Sequence, residues 1–281
     1  MNQIKLVLDS SANLTELEGI PLGVSPLKIV TDEKTYIDDA SLDPERMASH
    51  LRKYKGTSTT SCPNAEDWLE AFGEGNDILC ITITSGLSGT YNTARLAKEQ
   101  YEQMYPQCRV ELIDSLSAGP EIALMAEKAR ELILAGCSLD EVAAGVRGYS
   151  TRLYFVLESL QNFANNGRVS KLTAKTVGVL GIRVLGRADE KGTLEVLGKV
   201  RGECNALTSL VQLLVNAGYR GGKLRIAHCD NPGGAEALTL LIREIYPHAS
   251  VTIEGCRGLC SYYAEQGGML VGFEAEAGEK A

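Results

Sequence analysis

The chain is predicted to be an α/β protein of two α/β domains, the first built on a doubly wound, mostly parallel sheet. Three observations predict this. The run Ile78-Leu79-Cys80-Ile81-Thr82-Ile83 is β-branched and apolar, as a strand covered on both faces should be. It passes through Ser85-Gly86-Leu87-Ser88-Gly89 into a helix that starts near Thr90. Strand and helix patterns alternate up to about Tyr149, the signature of parallel strands joined by crossover helices. The 281 residues exceed one average domain, and a second α/β series begins at Leu153. The domains are therefore placed at 1–152 and 153–281.

In chain order, Ile4 to Leu8 is a short apolar strand ending in Asp9-Ser10-Ser11. Two readings of Asp9 stand side by side: it faces a ligand at the strand's carboxyl end, or it caps a neighbouring turn. Ile20 to Val30 is extended but carries Pro21 and Pro26, so it is read as an edge strand or as partly irregular. Asp43-Pro44-Glu45 opens a helix, the acid as cap and the proline in the first turn, with Met47, Leu51 and Tyr54 as its apolar stripe. Gly56-Thr57-Ser58-Thr59-Thr60-Ser61-Cys62-Pro63-Asn64 is small and rich in hydroxyls. It is either a plain surface linker or half of a binding site. It leads into a helix with Trp68, Leu69 and Phe72, which feeds the central strand, and that position favours the second reading.

At the central turn Ser88 is placed to cap the helix near Thr90. The free amides of that first turn and the positive end of the helix dipole suit an anion without help from Lys or Arg. The helix runs to Tyr105 and closes at Pro106; Val110 to Asp114 is the next strand. A helix through Ala129 to Leu134 stops at Gly136, and Ser138 and Glu141 have capping-box spacing for its successor. Beyond Leu153–Leu157, read as a strand, the segment from Ser170 to Leu180 is read as helical. Ile182–Leu185 and Leu194–Val200 are read as strands around the turn Asp189-Glu190-Lys191-Gly192. A helix from Ala206 to Ala217, a strand from Leu224 to Cys229, a helix from Gly234 to Tyr246, and strands at Ser250–Ile253 and Met269–Phe273 complete the second unit. The tail from Glu274 is read as frayed.

Composition narrows the function classes. A net charge of −8 argues against a surface for nucleic acid or anionic membrane. No stretch approaches the roughly 20 apolar residues of a membrane helix, and the N-terminus enters a strand at once, leaving no room for a signal peptide. The 8 cysteines are scattered, and only Cys256 and Cys260 lie close together, with no second pair or histidine to complete a metal site. The protein is read as cytoplasmic, reduced and free of metal.

The chemistry follows by elimination. Gly86-Leu87-Ser88-Gly89 resembles a nucleophile elbow but lacks one glycine of G-x-S-x-G, and the 3 histidines, His50, His228 and His248, offer no clear base. There is no P-loop lysine and no G-x-G-x-x-G after the first strand. What remains is a site of hydroxyls and amides, in which Thr60 with Ser61 and Ser85 with Ser88, beside Gly89 and Thr90, clamp one carboxylate. Apolar walls would recognise the rest of such a ligand.

Six segments in order carry a resemblance over nearly the whole chain. They are Asp9-Ser10-Ser11, Thr60-Ser61-Cys62-Pro63, Leu87-Ser88-Gly89-Thr90-Tyr91, Ile113-Asp114-Ser115, Asn166-Gly167-Arg168-Val169-Ser170 and Lys199-Val200-Arg201-Gly202. On these the chain resembles the DegV family of bacterial fatty-acid-binding proteins. The resemblance implies one long-chain fatty acid in a buried tunnel at the domain junction, its carboxylate at Thr60, Ser61 and Ser88. It also implies a separate fatty acid kinase as partner, no cofactor beyond the acid itself, and no catalytic group in this chain. Arg201 matches the arginine of K-x-R-G, near the carboxylate or on the kinase-facing surface; Arg168 is given a structural role. Two departures stand out. The family's H-x-G-P-G is Tyr263-Ala264-Glu265-Gln266-Gly267 here, so Tyr263 takes the histidine's place, and the family's K-P pair is Arg183-Val184. They bear on kinase partnership and chain-length preference more than on acid binding. The leading expectation is a non-enzymatic fatty-acid-binding protein. The alternative is a serine-dependent hydrolase or transferase acting through Ser88 on a small anionic or lipid-like substrate, and a third reading is a scaffold with a degenerate pocket.

Overall fold

A computed structural model describes residues 3–170 and 181–276. The first half runs β1 (Ile4–Asp9), β2 (Leu22–Ser25), β3 (Lys28–Val30), β4 (Thr35–Ile37), α1 (Pro44–Lys53), β5 (Thr59–Ser61) and α2 (Ala65–Phe72). It continues with β6 (Asp77–Thr82), α3 (Thr90–Met104), β7 (Val110–Asp114), α4 (Pro120–Leu134) and α5 (Leu139–Arg147). The second half runs β8 (Thr151–Leu157), α6 (Gln161–Asn165), β9 (Ile182–Ala188), β10 (Leu194–Arg201), α7 (Glu203–Asn216), β11 (Lys223–His228), α8 (Pro232–Ile245), β12 (Ser250–Gly255), α9 (Gly258–Ala264) and β13 (Met269–Glu274).

The first sheet has the order β2-β1-β6-β7, and every pairing in it is parallel. β1 and β6 lie at its centre, and their side chains Leu6, Leu8, Leu79 and Ile81 are wholly buried, which explains the unbroken apolar runs of the sequence. The edge strand expected over Ile20–Val30 divides at Pro26. Leu22–Ser25 forms the sheet edge, while Lys28–Val30 joins a separate antiparallel sheet of order β4-β3-β5. The hydroxyl-rich segment expected as a loop thus contributes a strand, with Thr60 opposite Ile29.

The second sheet has the order β10-β9-β8-β13-β11-β12 and is antiparallel except between β11 and β12. Helix α4 joins the two sheets: it packs on β1 and β6 on one side and on β8, β11 and β13 on the other. Its first seven residues, Pro120 to Ala126, are all buried. Gly272 on β13 permits this approach, since a β-carbon there would stand 2.5 Å from the Glu121 amide nitrogen.

Local signals explain most helix starts. Asp43 accepts from the Arg46 amide at 2.9 Å ahead of Pro44, and Ser138 with Glu141 forms the expected capping box. Asn64 and Asp67 form a second box, at the start of α2. At α3 the cap position falls on Gly89, one residue beyond the expected Ser88; the Ser88 hydroxyl still accepts from the Thr90 amide at 3.3 Å. The short helix α9 has no counterpart in the sequence reading. The helix expected over Ser170–Leu180 lies outside the described residues from 171 on. The tail is not frayed at its start: Ala275 and Glu276 donate backbone bonds to Ser150 and Gly218.

Candidate functional site

A mainly apolar cavity lies where the two sheets meet, the kind of place where small-molecule sites form. The parallel sheet supplies the carboxyl ends of its strands: Ser11 follows β1, Ile83 and Thr84 follow β6, and Ser117 follows β7. The second sheet supplies an apolar face. Leu153, Phe155 and Leu157 of β8 point into the cavity, while Tyr154 and Val156 between them enter the core under α7 and α8. Leu194, Leu270 and, from α9, Leu259 and Ala264 complete the greasy walls.

One end is polar. On β5 alternate side chains face opposite ways, so Thr60 lines the cavity and Ser61 is exposed. The Thr60 hydroxyl lies 2.8 Å from the Tyr263 hydroxyl, and the Thr60 amide donates to Asn166 Oδ1 at 3.2 Å. The same Asn166 donates to Tyr262 Oη at 2.9 Å, tying β5, α6 and α9 together. Tyr263 is stacked on Phe163 at 4.5 Å between centroids. Burial raises its pKa, against the opposing pulls of Thr60 and Arg168, so the phenol stays neutral and able to donate. Arg168 lines this end, with its guanidinium 6.0 Å from the Tyr263 ring centroid. It donates to the carbonyls of Leu87 at 3.2 Å and Asn166 at 2.9 Å, and among the described residues no carboxylate pairs with it. Ser88 completes the end, 2.7 Å from the Thr90 hydroxyl.

Two buried carboxylates hold these walls from outside. Asp9 accepts from the amides of Ser11 at 3.0 Å and Ile83 at 2.6 Å. The turn-capping reading of this residue holds, and burial pushes its carboxyl up to about 6. Asp38 accepts from Gly258 and Leu259, each at 2.9 Å, and so fixes the start of the helix that carries Tyr263; burial raises its pKa as well. A β-carbon at Gly258 would stand 2.6 Å from Asp38 Oδ1, so a larger residue there would displace the carboxylate.

Of the residues singled out in the sequence, Thr60, Ser88 and Tyr263 line the cavity. Ser61 is exposed, and its hydroxyl donates to the Cys62 carbonyl at 3.3 Å. Ser85 is exposed and uses its amide on Asp114 at 3.0 Å. Gly89 is exposed at the helix cap, and Thr90 is buried behind Ser88. Arg201 ends β10 on the surface, away from the cavity lining. Arg168, given a structural role from the sequence, donates to two backbone carbonyls and also lines the polar end. Among the described residues no histidine lines the cavity. His50 bonds the Tyr36 hydroxyl at 2.6 Å and His228 accepts from the Asn231 amide at 3.3 Å, so Ser88 has no imidazole base beside it. Among the described residues no cluster of His, Cys, Asp and Glu could hold a metal ion.

The sequence model described as "Uncharacterised protein, DegV family" matches residues 3–276. A DegV domain-containing protein of Streptococcus pneumoniae is 39% identical over 278 residues, covering 97% of this chain and 99% of that one. A DegV family protein from Eubacterium eligens, solved loaded with heptadecanoic acid, superposes with a TM-score of 0.95 at 43% identity, over 97% of this chain and 100% of its own. The Streptococcus pneumoniae Fatty Acid Kinase B3 protein, solved loaded with linoleic acid, does so with a TM-score of 0.95 at 39% identity, over 98% of this chain and 100% of its own.

Proposed function

Because the chain belongs to the DegV family, we propose that its junction cavity binds one long-chain fatty acid and presents it to a fatty acid kinase, this chain supplying no catalytic group. The observation that carries the reading is the pairing of an apolar cavity with a polar end holding neutral donors and one guanidinium. Two relatives of this fold, at 43% and 39% identity, hold heptadecanoic and linoleic acid.

The polar end is suited to a carboxylate by proton count. In the Thr60–Tyr263 pair one hydroxyl donates to the other, which leaves one proton for a ligand oxygen. In the Ser88–Thr90 pair, Thr90 donating to Ser88 leaves the Ser88 proton pointing outward. Two oxygens can thus be met by two hydroxyls, with Arg168 supplying the charge. About fourteen methylenes buried at ~0.8 kcal/mol each contribute ~11 kcal/mol gross, so the acyl chain dominates affinity and the hydroxyls orient it. Association entropy removes part of that sum.

Arg201, exposed at the end of β10, belongs in this reading to the kinase-facing surface. The two sheets support a division into an N-terminal and a C-terminal unit near residue 150, since β8 of the second sheet already starts at Thr151, with the acid at their junction. Free cysteines and, among the described residues, the absence of any helix long and apolar enough to cross a membrane fit a cytoplasmic protein. A fatty acid labelled with carbon-13 at its carboxyl tests the site by NMR. Its bound resonance should shift and broaden in Ser88→Ala, with affinity falling several-fold, as for one lost hydrogen bond of about 1 kcal/mol. An unchanged resonance and affinity would place the carboxylate elsewhere.

A further inference from the structure

Strand β9 borders the cavity beside β8, through Arg187 and Ala188. On the face it shares with the larger Leu157 and Phe155 of β8 it carries Val184, Gly186 and Ala188, with Leu157 paired to Val184 and Phe155 to Gly186. The Phe155 ring does not stand upright from its own strand. A β-carbon at 186 would overlap Phe155 Cζ and lie 2.6 Å from Cε2, so the ring leans across β9 into the space a side chain would fill. The ring is buried and also lines the cavity, so one face meets the glycine backbone while other atoms border the acyl space.

We propose that the Phe155–Gly186 pair sets the bore of the acyl tunnel, and with it the admission of long-chain acids bent by a cis double bond. This rests on the fatty-acid reading of the cavity. The glycine lets the ring lie aside. Any side chain at 186 must either lift the ring into the tunnel or push back the Glu195 carbonyl, which the same β-carbon would overlap. The lifted ring removes width at one place on the path, which a straight chain tolerates better than a bent one. Covering a strand glycine with a cross-strand aromatic also protects the sheet. That packing alone would alter stability without altering which acid is preferred.

Stearate and oleate, equal in carbon count and different in one cis bend, are the probes. Their dissociation constants are measured by competition in the wild type, Phe155→Ala and Gly186→Ala, with Phe155→Trp as the narrowing variant should Gly186→Ala not fold. Thermal midpoints are recorded alongside. The ratio of oleate to stearate affinity should rise about tenfold in Phe155→Ala and fall by a similar factor in the narrowing variant, the scale of one or two methylenes in an apolar pocket. Ratios equal to the wild type, with both acids still bound, would overturn the proposal whatever the midpoints do. Loss of all acid binding in the wild type would instead remove the fatty-acid reading beneath it.

Discussion

Thr60 and Ser61 stand next to each other, yet only one lines the cavity, because β5 turns successive side chains to opposite faces. That choice depends on pairing with Ile29, 31 residues before Thr60 in the chain, and was not legible locally. Ser88 and the Tyr263 replacement were legible, since each sits in a motif with its own spacing. Arg168 was seen and given a structural role; it donates to two backbone carbonyls and also lines the polar end of the cavity. The sequence does not display that cavity. Arg168→Gln keeps the hydrogen-bonding length and removes the charge. Isothermal titration should show fatty acid affinity reduced about 10- to 100-fold, as for a hydrogen bond to a charged group worth ~1.5–3 kcal/mol. Asp9 gives a prediction in pH. Its carboxyl is raised from 3.8 to about 6, so the fold holds the proton more tightly than the unfolded chain does. The resulting stabilisation is full below pH 3.8 and is lost as pH rises to about 6, by roughly 3 kcal/mol. Urea unfolding between pH 4 and 7 should therefore show the wild type losing that much more stability than Asp9→Asn; parallel curves would contradict it.

Helices and central strands were largely legible because their signals are local: β-branched runs, Asp43-Pro44, and Ser138 with Glu141. The elements that build the polar end were not. β4 and β5 are three residues each, too short to carry a periodicity, and the extended reading of Ile20–Val30 did not separate β3 from β2. Helix α9 opens at Gly258 and is held by Asp38, 220 positions away, rather than by a cap of its own. These pieces are locked together by side chains such as Asn166, which spans the Thr60 amide and the Tyr262 hydroxyl. Asn166→Ala should loosen the strand on which Thr60 sits. Hydrogen exchange at residues 57–61 should quicken and stability should fall by ~1 kcal/mol, since the Thr60 amide loses its partner while the Tyr262 hydroxyl keeps Ser58. Unchanged protection of that strand would show that Asn166 is not its anchor.

At the scale of the whole molecule, the α/β class was foreseen, while the second sheet's mainly antiparallel order was not. Antiparallel strands separated by helices read in sequence like a parallel series, and only pairing distinguishes them. Helix α4 packs on both sheets, and the cavity lies between their facing residues beyond its N-terminus. Filling that space should stabilise the folded state by mass action. Native mass spectrometry of the full-length protein tests the central claim most directly. It should show a one-to-one complex whose added mass is that of an intact long-chain fatty acid, or its formation when the stripped protein is given oleate. A protein that stays at its apo mass with excess acid, or releases a chemically altered product, would contradict the account.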